Sequence, residues 1–209
     1  MIDEYINRVE TAIQCALDNK TKLTDLEFRL DGMSSRENRI LLNEIVKEGD
    51  KYFEIGVYRG STFTCAMYNN NAYGIAVDNF SQFDSTDKSN KLFFDQATRE
   101  SNVTNFTFLD KDCFNLSQED KELIRGSNVY FYDGDHREVD QEMALTYYWD
   151  LMTDPFIFIV DDFSHKPAET GTDAGLLKVN AKVHKEWRLY RETHNKSWHN
   201  GLYIAVLGK

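Results

Sequence analysis

Apolar residues at Ile2, Tyr5, Ile6, Val9, Ile13, Ala16 and Leu17 recur at intervals of three and four, which predicts an amphipathic helix at the start of the chain. After a polar break, residues 26–30 are ambiguous and lead into Asp31, Gly32 and Met33, where Gly32 and Met33 could cover a site as a lid. Ser34 followed by Glu37 has the form of a capping box; Ile40, Leu41, Leu42, Ile45 and Val46 supply an apolar face, and Gly49 is placed to end that helix. Residues 1–50 therefore read as a helical segment packed over one edge of a sheet.

From residue 51 the pattern changes to short apolar runs in alternation with helices. Runs at 51–54, 72–78, 105–109, 128–133 and 156–160 are near-continuously apolar, and the segments between them have helical spacing or a helix cap, as at Ser117. Strands of this kind belong to a mainly parallel sheet covered on both faces. Residues 187–193 and 202–207 also read as strands, but only residues 194–201 separate them, too few for a crossover helix, so an antiparallel pair is expected. The fold class is α/β, a Rossmann-like sheet that ends in an antiparallel C-terminal strand. Its main domain is expected at 51–209, with residues 1–50 packed on it.

The composition bears on partners. A formal charge of -11 over 209 residues argues against general affinity for nucleic acid or an anionic membrane, and suits a bound divalent cation as well as plain solvated surface. Cys15, Cys65 and Cys113 are odd in number and far apart, which fits neither a disulfide framework nor a zinc site and points to a reducing cytoplasm. No signal peptide or membrane span is evident.

The candidate chemistry lies where strands end. Gly56 and Gly60 flank a strand-to-helix turn, so backbone can approach a ligand beside the free N–H groups at Ser61. Four strands deliver acids to the same edge: Glu54, Asp78, Asp133 with Asp135, and Asp161 with Asp162. In an open parallel sheet that edge is where ligands bind, and Asp78, 18 residues beyond Gly60, is spaced to reach ribose hydroxyls. The middle glycine of a dinucleotide fingerprint is absent, which leaves a pyrophosphate without a cradle and makes an NAD enzyme a poor fit. His165, His184, His194 and His199 are scattered and read as surface, with only His165, close after Asp162, in reach of a substrate. Tyr147, Tyr148 and Trp149 read as helix packing or as a wall of the acceptor pocket, and residues 166–173 as a loop.

The turn Glu54-Ile-Gly-Val-Tyr-Arg-Gly60 resembles the first motif of class I S-adenosylmethionine-dependent methyltransferases. Tyr132-Asp-Gly-Asp-His136 and Ile159-Val-Asp-Asp-Phe163 resemble the magnesium-dependent macrocin-type and sugar O-methyltransferase branch. The resemblance implies S-adenosylmethionine as cofactor, held by Glu54, Gly56, Gly60, Ser61, Asp78 and Asp112, and magnesium held by Asp133, Asp161 and Asp162. It implies Asp135 as general base, with His136 the other candidate because an imidazole titrates near neutrality. The acceptor would be a small hydroxylated molecule such as a sugar, and a homodimer contact would be sought in residues 1–20. A metal-independent methyltransferase and a noncatalytic cofactor-binding or partner-binding module remain the alternatives.

Overall fold

A computed structural model describes residues 1–83, 89–190 and 198–209. The elements are α1 (Ile2–Leu17), α2 (Leu26–Arg29), α3 (Arg36–Ile45), β1 (Lys51–Ile55), α4 (Ser61–Met67), β2 (Tyr73–Asp78), α5 (Ser89–Glu100), β3 (Phe106–Asp110), α6 (Gln118–Ile124), β4 (Ser127–Tyr132), α7 (Glu138–Thr146), β5 (Met152–Val160), α8 (Lys166–Lys178), β6 (Lys182–Leu189) and β7 (Leu202–Gly208).

One seven-stranded sheet runs in the order β3-β2-β1-β4-β5-β7-β6. Strands β1 to β5 pair in parallel, and β7 is antiparallel to both β5 and β6. Strand order reverses between β1 and β4, whose register sets Ile55 beside Tyr132. The turns after these two strands therefore leave the same edge in opposite directions, and a crevice opens between them.

Both sheet faces are buried, which explains the unbroken apolar runs. Along β5, Ile157 and Ile159 face a core shared with α1, α3, α4 and α5, whereas Phe156, Phe158 and Val160 face α6, α7 and α8. Helix α1 reaches this first core through Tyr5, Val9, Ala12 and Ala16, all on one stripe. Tyr148 is fully buried against Phe53 and Tyr130, so it is packing and not a pocket wall.

Several boundaries differ from the sequence expectation. Residues 166–173 are not a loop but the first part of α8, with Pro167 in its first turn. This helix lacks a long apolar stripe because it meets α7 through small residues; a Cβ at Gly171 would lie 2.2 Å from the Glu138 carbonyl oxygen. Strand β6 begins at Lys182, not at Trp187, because this edge strand is rich in Lys, His and Glu at its start, mostly exposed or partly covered, and carries little apolar signal. Residues 191–193, expected as strand, and His194 lie outside the described residues. Ser35, not Ser34, caps α3, accepting the Asn38 N–H at 3.1 Å. Helix α3 ends at Ile45, four residues before Gly49.

Candidate functional site

A cavity of about 430 Å³ opens at the carboxyl edge of the sheet, over the switch between β1 and β4. Its walls include Gly56, Asp78, Asp112, Asp133, Asp135, His136 and Asp162 from the expected set. Glu54, Gly60, Ser61 and Asp161 lie behind that wall.

At one end the turn after β1 meets the end of β2. Gly56 has φ +84, and a Cβ there would lie 1.8 Å from the Asp133 carbonyl oxygen, so only glycine fits between the two turns. The Tyr58 N–H donates to Asp78 Oδ2 at 2.9 Å, and the Phe80 N–H to Oδ1 at 2.7 Å. Burial raises the Asp78 pKa against the pull of these N–H groups. Val57 contributes a third backbone N–H, and a carboxylate has about four acceptor positions, so room remains for a ligand hydroxyl. Asp112 lines the same end, with Oδ1 accepting the Phe114 N–H at 2.8 Å.

Glu54 points the other way, into the first turn of α4. It accepts hydrogen bonds from Thr62 Oγ1 at 2.6 Å and from the Tyr52 hydroxyl. Desolvation pushes its pKa up to about 8, although those donors hold it down in part. Gly60 is the N-cap of α4 at φ +83, and Ser61 is 5% exposed with Oγ 3.2 Å from Ser34 Oγ. These residues fix the helix that frames the turn. Met33, from the segment tied down by Arg39 through the Leu30 and Gly32 carbonyl oxygens, reaches the cavity wall above them.

At the other end Asp133, His136 and Asp162 offer donor atoms that all lie within 4.8 Å of one another. Burial, then the neighbouring Asp161 and Asp162, push the Asp133 pKa well above the usual carboxylate value. Burial also drives Asp161 up; its Oδ1 accepts the Asp162 N–H at 2.9 Å, which turns it toward the backbone. Asp162 sits at φ +56. Burial works to raise its pKa, but hydrogen bonds from His136 and Asn200 outweigh that and leave it lowered. His136 Nε2 stands 2.7 Å from Asp162 Oδ2, and this contact raises the imidazole pKa. Asp135 is engaged differently: its Oδ1 accepts the Arg137 N–H at 3.0 Å and its Oδ2 lies 3.2 Å from the Arg137 guanidinium.

Some wall residues were not expected from sequence. His165 was the one dispersed histidine within reach, but His199 joins it on the wall, and the His165 ring lies 5.8 Å from that of His136. His199 and Asn200 come from the turn before β7, docked by Ser164 N–H to the Asn200 carbonyl oxygen at 2.8 Å. This docking, together with Phe163 N–H to the Gly201 carbonyl oxygen at 3.2 Å, brings them to the site, and Asn200 followed by Gly201 is a local turn pattern.

No family model matches the chain, and no curated protein sequence matches it. Solved structures do. A provisionally assigned S-adenosylmethionine-dependent methyltransferase from Streptococcus mutans superposes with a TM-score of 0.61 at 10% identity, over 83% of this chain and 48% of that one. The chain thus spans about half the length of that neighbour. The O-methyltransferase TomG of Streptomyces achromogenes, involved in tomaymycin synthesis and in complex with S-adenosylmethionine, matches over 93% of this chain and 90% of its own, with a TM-score of 0.60 and 11% identity. A provisionally assigned rRNA methylase from Clostridium thermocellum matches over 82% and 95%, with a TM-score of 0.56 and 14% identity. At such identities the likeness is one of architecture: the chain has the Rossmann-like fold of S-adenosylmethionine-dependent methyltransferases.

Proposed function

We propose that this chain is an S-adenosylmethionine-dependent methyltransferase that methylates a hydroxyl of a small acceptor, such as a sugar, with the help of a divalent cation, magnesium in the first instance. The observation that carries the reading is that one cavity joins two unlike sites. Gly56 and Asp78 at one end suit a ribose-bearing ligand without phosphate, and Asp133, His136 and Asp162 gather at the other. A noncatalytic binding module would need only the first. The charge of -11 favours a small acceptor over RNA.

The donor set fits a hard cation. Asp133 is half-buried among like charges, with no hydrogen bond to its carboxyl among the described residues, so a cation there would relieve the crowding. Asp133 and Asp162 would hold the ion through oxygen, which suits magnesium because it keeps several waters that substrate hydroxyls can replace. Asp161 would brace Asp162 through its N–H. Such an ion lowers the pKa of a hydroxyl that it binds.

S-adenosylmethionine supplies a methyl group on a sulfonium, which leaves as a neutral thioether. Asp78 would accept the ribose hydroxyls, and the Gly56 turn would admit the amino acid portion and fix the methyl in line with the acceptor oxygen. As the O–C bond forms and the S–C bond breaks, His136 would take the hydroxyl proton at an imidazole nitrogen, with Asp162 steadying the imidazolium. Asp135, engaged by Arg137, would orient that loop. The test is transfer of labelled methyl from S-adenosylmethionine to a panel of sugars and other diols. Turnover that EDTA stops and magnesium restores is expected; turnover indifferent to EDTA would reject the metal-dependent reading.

A further inference from the structure

Arg59 lies in the turn after β1, between Tyr58 and the glycine that caps α4, and its side chain joins three parts of the molecule. Its Nε donates to Asn90 Oδ1 at 2.8 Å in the first turn of α5, and its Nη1 donates to Asp31 Oδ2. The guanidinium carbon stands 4.7 Å from the centre of the Phe93 ring and 5.1 Å from that of the Tyr58 ring. Just after Asp31 the chain presses on the start of α4: a Cβ at Gly32 would lie 2.1 Å from Ser61 Oγ. Met33 follows, exposed on the cavity wall, and Arg39 holds the same segment from the side of α3.

We propose that Arg59 is a positioning residue, which couples the turn that receives the cofactor to the segment that brings Met33 to the cavity wall. Tyr58 needs such a hold. Its φ of +47 is unfavourable for a large side chain, yet that conformation aims its N–H at Asp78 Oδ2. A planar guanidinium can donate from its edge to Asp31 and Asn90 while lying against aromatic rings, which a lysine ammonium cannot do at once. The pair with Asp31 is itself exposed, so it adds little to global stability; its effect lies in where it places the segment. The cofactor half of this inference rests on the reading of Gly56 and Asp78 as the S-adenosylmethionine site; the hold on Met33 does not.

The test uses Arg59→Ala, which removes every contact of the side chain, and Asp31→Asn, which weakens the tie to the Met33 segment and leaves the guanidinium against Tyr58. Three quantities are measured: the methyl resonance of Met33 in ligand-free protein, S-adenosylmethionine binding by calorimetry, and the melting temperature. Arg59→Ala is expected to displace the Met33 resonance and to weaken S-adenosylmethionine binding about tenfold or more, the order of one charge-assisted hydrogen bond. Asp31→Asn should displace the Met33 resonance while cofactor binding stays within about twofold. Both variants should melt within a few degrees of wild type. An unmoved Met33 resonance in both variants, or wild-type cofactor affinity in Arg59→Ala, would overturn the proposal. So would a melting temperature lowered by about ten degrees or more in Arg59→Ala, which would mark general loosening of the edge. If wild-type protein binds no S-adenosylmethionine, that failure belongs to the proposed function, and the Met33 resonance decides alone: displaced in both variants the hold stands, and unmoved it falls.

Discussion

Tyr58 donates its backbone N–H to Asp78 Oδ2 at 2.9 Å, tying the turn after β1 to the end of β2. Tyr58 adopts φ +47 to do so, a conformation uncommon for a side chain of that size. The two halves of the proposed cofactor site are thus one mechanical unit. Replacing Asp78 by Ala should lower S-adenosylmethionine affinity by about 10- to 100-fold, the loss of hydrogen bonds to a charged group, while Mg2+ binding stays close to wild type. Parallel calorimetric titrations with the two ligands check this; equal loss of both would point to collapse of the edge instead.

Gly56→Ala should destabilise the fold itself. The added methyl would meet the Asp133 carbonyl oxygen at 1.8 Å on a backbone with φ +84, and a cost of about 2–4 kcal/mol is expected. Urea denaturation at neutral pH measures it. A midpoint unchanged from wild type would mean that the two turns can separate at little cost.

Much of the fold was legible because buried strands and their terminal acids leave a strong local pattern, as in β1, β2, β4 and β5. Strand β6 and helix α8 were misread for the opposite reason. One is a charged edge, and the other packs through Gly171 and Gly175, so neither carries a long apolar repeat. At the site, Asp78, Asp133, His136 and Asp162 could be named from motifs. That Glu54 turns into α4 could not, since alternation along β1 puts it on the side of Tyr52 and away from the cavity. His199 and Asn200 reach the site by a tertiary dock that no spacing encodes.

Glu54 makes a pH prediction. Its pKa is near 8 in the folded chain against 4.5 as the ordinary value, so between these limits the folded protein holds a proton that the unfolded chain has released. Stability from this group is therefore full below about pH 4.5, falls as pH rises through 8, and then levels off, a change of several kcal/mol at most. Glu54→Gln keeps a carbonyl acceptor for one of the two hydroxyls of Tyr52 and Thr62, offers an N–H to the other, and cannot ionise. Its melting temperature should exceed that of wild type by several degrees at pH 9, with the gap closing toward pH 5. A constant gap across that range would show that Glu54 does not titrate in this window.

His136 acts in the same direction over a different span. Its contact with Asp162 raises the imidazole pKa, so in metal-free protein the pair stabilises the fold fully below the ordinary histidine value, near pH 6.5, and this contribution fades as pH rises past the raised one. In His136→Asn that part of the pH dependence should vanish from melting curves recorded in EDTA. Persistence of the same slope would assign it to another group.

The three aspartates should not be equivalent. Asp133→Asn and Asp162→Asn should each reduce Mg2+ affinity by at least tenfold, whereas Asp161→Asn, outside the close set, should reduce it less. An Asp161→Asn loss as large as the other two would place its carboxylate on the ion as well.

The central claim is that one cavity binds S-adenosylmethionine and a divalent cation at separate ends. It is tested most directly by isothermal titration of the protein with S-adenosylmethionine in EDTA and again with added magnesium, followed by magnesium alone. The account predicts cofactor binding under both conditions, weakened by Asp78→Ala, and separate magnesium binding weakened by Asp133→Asn. Absence of S-adenosylmethionine binding under every condition would contradict it and leave the Gly56 turn as a structural feature.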